Sequence, residues 1–177
     1  METTKNSLTP YETFFFDNLR YYLDTPLYFY GSIQRADYKS QQSDIDVDIF
    51  TENEKVIMLK LQNLLNIEKE DFKRVVYKID KLNVVVQGYK TKYVDEKNKL
   101  TVEFAIFNTK YKKAILYEHQ SKFDLPYYIS VFLILFKFLH YDLCVLPLEY
   151  YRKIKRFLMN TCYDSNMSEF IVIENYK

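Results

Sequence analysis

The sequence predicts an α+β fold: a small mixed β-sheet with helices packed on one face, plus a C-terminal helical extension. Three observations predict it. Acids alternate with aliphatic residues in Ser43-Asp44-Ile45-Asp46-Val47-Asp48-Ile49-Phe50, the two-residue period of a strand. Further β-rich runs occupy residues 72–79, 83–94 and 100–107, and from residue 110 the apolar spacing turns helical. The resulting order of helix, strand, helical turn, strand, helix, three strands and helical tail suits a sheet covered by helices.

Each element has its own signal. Residues 11–24 read as an amphipathic helix, with Phe14, Phe15, Leu19, Tyr22 and Leu23 near helical spacing, and Pro26 stops it. Residues 27–30 form a short strand, 32–36 a helical turn, and 37–42 a polar loop before the acidic strand at 44–50. Thr51 or Asn53 caps a helix that runs to residue 66, with Val56, Leu59, Leu61, Leu64 and Leu65 toward the core. The segment Asp95-Glu96-Lys97-Asn98-Lys99 is a turn, so the strands on either side of it pair as a hairpin. Helices follow at 110–121, 126–142 and 147–160, with Pro126 and Pro147 where helix starts tolerate proline. The run 170–173 is a docking strand or a frayed tail. The domain expectation is one compact unit, a core over 1–109 with a helical extension over 110–177 packed on it.

Composition bounds the function. A chain of 177 residues suits one domain with a real core. Its net charge of +1 gives no global pull toward nucleic acid or acidic membranes. Cys144 and Cys162 make neither a disulfide framework nor a metal ligand set, and the polar N-terminal stretch lacks a signal-peptide core. A soluble, cytoplasmic protein is the expectation. The apolar stretch 127–140 is shorter than the roughly 20 residues of a membrane span, so it reads as a buried helix with Lys137 snorkelling to water.

The acidic strand carries the chemistry. Asp44, Asp46 and Asp48 share one strand face, where carboxylates repel and cannot be buried unpaired. A hard divalent cation, Mg²⁺ or Mn²⁺, removes that conflict. The plainer alternative is an edge strand whose acids only keep it soluble. Asp48 lies one pleat beyond the other two, about 7 Å along the strand. Pairing with a Lys or Arg suits it better than metal assistance.

The run Leu27-Tyr28-Phe29-Tyr30-Gly31-Ser32, continued by Ser43-Asp44-Ile45-Asp46-Val47, resembles the signature of the DNA polymerase beta-type nucleotidyltransferase superfamily. In that signature a strand ends in Gly-Ser, a short helix follows, and the next strand carries Asp-x-Asp between apolar residues. The resemblance spans residues 27–107. It implies a nucleotidyltransferase-like core in which Asp44 and Asp46 hold Mg²⁺ or Mn²⁺ and Gly31, Ser32 and Ser43 bind the phosphates of a nucleoside triphosphate. It also implies a third carboxylate from a later strand. Glu103 takes that role here, a Glu where the family usually has Asp.

The implied activity moves an NMP from an NTP to a hydroxyl acceptor, with a small molecule or protein favoured. The alternatives are a nucleic-acid 3′-end transferase and a catalytically inactive module that binds a partner through helix 127–139. Ser32 serves equally as a helix N-cap. Arg35 has two readings, a triphosphate contact or the commoner solvated surface charge. The cations of Tyr150-Tyr151-Arg152-Lys153-Ile154-Lys155-Arg156 read as a solvent-exposed helix face before a nucleic-acid contact, and His119 and His140 as ordinary packed or surface residues.

Overall fold

A computed structural model describes residues 2–162 and 171–173. The chain opens with α1 (Pro10–Leu23) and β1 (Leu27–Tyr30); a single 3-10 turn over Gly31–Gln34 then leads toward β2 (Ile45–Thr51). Next come α2 (Glu54–Leu65), β3 (Lys73–Ile79), β4 (Val84–Asp95) and β5 (Leu100–Asn108). The helices α3 (Lys112–Ser121), α4 (Tyr127–Tyr141) and α5 (Leu148–Cys162) precede β6 (Ile171–Ile173). Phe170 lies outside the described residues.

Six strands form one mixed sheet in the order β1-β2-β5-β4-β3-β6. β1 and β2 are antiparallel, β2 and β5 parallel, and the remaining pairs antiparallel. The fold class is therefore the expected α+β mixed sheet, and the run 171–173 docks as a strand on β3. The parallel β2–β5 pair matters most for function, because it sets Asp46 directly opposite Glu103.

Strand alternation divides the core into two layers. Ile45, Val47 and Ile49 of β2 join Val102, Phe104 and Ile106 of β5 under α1 and α2. The other face carries Phe50, Ala105, Phe107, Val75, Tyr77 and Val86, covered by Ile115 of α3. Side chains of this size contribute roughly 1.5–3 kcal/mol each when fully buried.

Two helices are rotated from their expected phase. In α1 the buried stripe is Phe16, Leu19 and Leu23, while Phe14 and Tyr22 face water. A capping box between Thr9 and Glu12 starts this helix, and its carboxylate accepts from the Thr9 amide at 2.7 Å. In α2, capped by Asn53, Ile57 and Leu61 are buried one turn apart, and Val56, Leu59 and Leu64 are exposed. Both helices carry apolar residues around most of their circumference, so spacing alone left the buried stripe ambiguous.

The α4 helix departs further. Ile129, Leu133 and Lys137 form its buried stripe, but Val131, Phe132, Ile134, Leu135 and Phe138 stand exposed on the opposite side. Lys137 does not snorkel to water: it is 4% exposed, because a buried acid receives its ammonium. Among the described residues, no helix is long and apolar enough to cross a membrane.

Candidate active site

The site begins where β1 ends. Gly31 has φ +70°, in the left-handed region, and the chain turns there through Ser32, Ile33 and Gln34. A Cβ at Gly31 would stand 1.9 Å from Asp46 Oδ2, so this glycine makes room for the Asp46 carboxylate. The turn is stitched to the N-terminal segment. The Gln34 amide donates to the carbonyls of Thr3 at 2.7 Å and Phe29 at 3.1 Å, and Asn6 Nδ2 donates to the Ile33 and Arg35 carbonyls at 2.8 Å. Ser32 is buried within the turn, whose N-cap position is Tyr30, so Ser32 is not the cap itself.

Asp46 and Glu103 are register partners on adjacent parallel strands, and Tyr30 pairs with Asp46 from the other side. Asp44 lies just before β2, half exposed. Two lysines of β4 reach these acids: Lys90 Nζ lies 2.7 Å from Glu103 Oε1, and Lys92 Nζ lies 3.1 Å from Asp44 Oδ2. Burial pushes the Asp46 carboxyl up to about 6, and Glu103 and Asp44 add to the rise against the opposing charges of Lys90 and Lys155.

Carboxylate oxygens are the donors that a hard divalent ion takes. Three carboxylates lie on two neighbouring strand ends, the central one destabilised as an anion, with a glycine cradle that only a bare backbone allows. Among the described residues, no three acidic, His or Cys side chains converge as a ready-made metal cage. Glu103 and Asp44 are each paired instead with a lysine of β4, Lys90 and Lys92.

Asp48 is fully buried, and its neighbour is neither Lys nor Arg. His119 Nε2 of α3 lies 2.8 Å from Asp48 Oδ2, and the His119 ring stacks on Tyr30 with centroids 4.0 Å apart. The contact is close, but neither carboxylate oxygen makes a hydrogen bond of good geometry. His119 is a packed histidine, as expected, yet it borders the site through Tyr30. Burial raises the Tyr30 hydroxyl well above its ordinary range, and Asp48, Asp46 and Glu103 push it further.

A second charged cluster escaped the sequence reading. Arg35 Nε lies 2.8 Å from Asp37 Oδ1, and Lys137 Nζ lies 3.2 Å from Asp37 Oδ2 and donates to the Asp37 carbonyl. All three side chains are buried, so Arg35 is neither a surface charge nor positioned by solvent. Lys137 also donates to Ser43 Oγ at 2.9 Å, and the Lys39 amide donates to the same oxygen at 3.1 Å. Ser43 is thus tied to α4 and to its own loop. Burial would raise the Asp37 carboxyl, but Arg35 and Lys137 outweigh it and hold it below the usual range. Desolvation pulls the Lys137 ammonium down to about 8, against the pull of Asp37. The one available signal was a single lysine inside an apolar helix.

Fold and site together define an α+β protein with a mixed six-stranded sheet, a glycine turn, and facing acids on two parallel strands. No family model matches the chain, and no curated protein matches it. Among solved structures, the chain is similar to the structure of the GLD-2/RNP-8 complex, with a TM-score of 0.34 and 17% identity over 86% of this chain and 68% of that chain. A likeness this distant carries no argument about function.

Proposed function

We propose that the protein is a nucleotidyltransferase, built on a nucleotidyltransferase-like core, that moves an NMP from a nucleoside triphosphate to a hydroxyl acceptor. The reading rests on one observation: Asp46 and Glu103 oppose each other on parallel strands, on the sheet face that Gly31 opens. It is supported by the order of elements, in which a strand ends in Gly31-Ser32, a short turn follows, and the next strand carries Asp44 and Asp46.

In this reading Asp44, Asp46 and Glu103 are the ligands of Mg²⁺ or Mn²⁺. A bound ion would supply electrostatic stabilisation to an in-line displacement at phosphorus. The acceptor hydroxyl oxygen bonds to the α-phosphorus as the bond from that phosphorus to the bridging oxygen breaks, and pyrophosphate leaves. Glu103 orients the hydroxyl or takes its proton. Gly31, Ser32 and Ser43 line the phosphate side.

A small-molecule or protein acceptor is favoured by the net charge of +1. A nucleic-acid 3′ end is the second reading, and one observation favours it: α5 carries a basic run whose Lys155 exerts its charge on Asp46.

The test is incubation with each α-³²P-labelled triphosphate and Mg²⁺ or Mn²⁺, offering the protein itself, small hydroxyl compounds and RNA or DNA 3′ ends. Label transferred by the wild type and lost in Asp46→Asn is expected. Equal labelling by both proteins, or none with any triphosphate and acceptor, overturns the reading.

A further inference from the structure

Lys90 and Lys92 come from alternate positions of β4, so both side chains stand on the sheet face that carries the acids. Lys92 is the register partner of Glu103, and Lys90 that of Ala105. Yet Lys90 reaches Glu103, and Lys92 reaches past it to Asp44. Each outer acid of the site therefore holds an ammonium from one strand, and Asp46 lies between them.

These lysines oppose a bare dication. For a free divalent ion to gather Asp44, Asp46 and Glu103, both ammonium groups must give up their carboxylates and remain beside a double positive charge. A cation that arrives on a triphosphate changes the balance, because the phosphate oxygens offer the two displaced ammonium groups new partners. On the nucleotidyltransferase reading above, we propose that Lys90 and Lys92 are displaceable internal counter-ions that close the acidic site to free divalent metal and open it to metal carried by a triphosphate.

The two lysines differ in what holds them. The Lys90 side chain is 18% exposed and the Lys92 side chain 51%, so the Lys92 contact is the more screened and the first to yield. Both positions lie in a strand whose backbone pairing does not involve their side chains, so replacing them leaves the ladder intact.

The experiment measures Mn²⁺ binding by electron paramagnetic resonance on the full chain, with and without α,β-methylene nucleoside triphosphates. The proteins are the wild type, Lys90→Gln/Lys92→Gln, and Lys90→Arg/Lys92→Arg. The Gln pair should bind Mn²⁺ alone about tenfold more tightly than the wild type, the scale of one to two screened ion pairs. With triphosphate the order should reverse, the wild type gaining most and the Arg pair behaving like it. Thermal melts verify folding, and Lys92→Gln alone carries the test if the double variant fails to fold. Equal Mn²⁺ affinity in wild type and Gln variants, or equal gain from triphosphate, overturns the counter-ion role and leaves the enzyme reading standing. Absence of Mn²⁺ binding in every protein with every triphosphate removes the nucleotidyltransferase reading and the inference with it.

Discussion

Gly31 separates the stability of the turn from the geometry of the site. In Gly31→Ala the new methyl stands 1.9 Å from Asp46 Oδ2, so the carboxylate must move by about 1.5 Å to reach ordinary contact. What yields is the end of a side chain, so the clash itself costs little folding free energy. The left-handed backbone costs more, about 1–2 kcal/mol for an L-residue at φ +70°. At about 2–4 °C per kcal/mol for a chain of this size, Tm should fall by roughly 2–8 °C. Nucleotidyl transfer should fall far more, about 10²-fold, the effect of displacing a reacting group by an ångström. Gly31→Asn sharpens the comparison. Asn tolerates the left-handed region, so most of the melting temperature should return, while its Cβ still displaces Asp46. Differential scanning fluorimetry beside a labelled-transfer assay reads both effects. Full activity in Gly31→Asn would refute the claim that the Asp46 position depends on a bare backbone at residue 31.

The other glycine behaves oppositely: a Cβ at Gly88 would lie 2.4 Å from Phe107 Cδ1 and 2.5 Å from the Ile106 carbonyl oxygen. Backbone cannot swing aside, so Gly88→Ala should lose about 1–3 kcal/mol in urea unfolding with unchanged activity per folded molecule. For Asp46 the sign follows from its carboxyl at about 6 in the fold against roughly 3.9 unfolded. Between those values the native state binds more protons, so stability falls as pH rises through 6. Asp46→Asn should therefore gain up to about 2 kcal/mol over wild type at pH 8 and nothing at pH 4; urea midpoints showing a loss at pH 8 would contradict the burial argument. Lys137→Met strands Asp37 with Arg35 alone. It should cost about 3 kcal/mol, the low end for breaking a buried pair, and a melt within a degree of wild type would show that Arg35 suffices.

How much of this was legible in the sequence depends on whether a feature is local. Alternation of Asp44, Ile45, Asp46 and Val47 put the acids on one face and the aliphatics under α1 and α2, and the structure has them there. The two-residue period allows no other division within a strand. The Gly31-Ser32 turn was legible because one of the chain's two glycines stands there at the end of a strand, as in the family signature, and the structure gives it φ +70°. That Glu103 faces Asp46 required more, namely a parallel pairing between strands more than fifty residues apart. Periodicity in either strand is compatible with a slip of two residues; the family resemblance implied only a third carboxylate on a later strand, and the register comes from the structure.

The countercharges were not legible, for a reason that physical chemistry makes plain. Burying Asp37 or Asp48 requires a partner, so each acid in the core implies a cation or donor nearby. That argument says a partner exists without saying where along the chain it lies. Asp37 found Lys137, a hundred residues away, whereas His119 stands beside Asp48 in place of the expected Lys or Arg, without a hydrogen bond of good geometry. Lys137 could have been flagged from its own side. It interrupts an apolar helix too short to span a membrane, and its neighbours at helical spacing, Ile129 and Leu133, face inward. A lysine on an inward stripe can snorkel only if water lies within reach of its stem, and the alternative is a buried acid. The loop between Gly31 and Asp44 holds Asp37, and that loop is where the helix docks. The same cation therefore anchors the segment joining the glycine turn to the acidic strand, and it couples α4 to that segment through charge and hydrogen bonds.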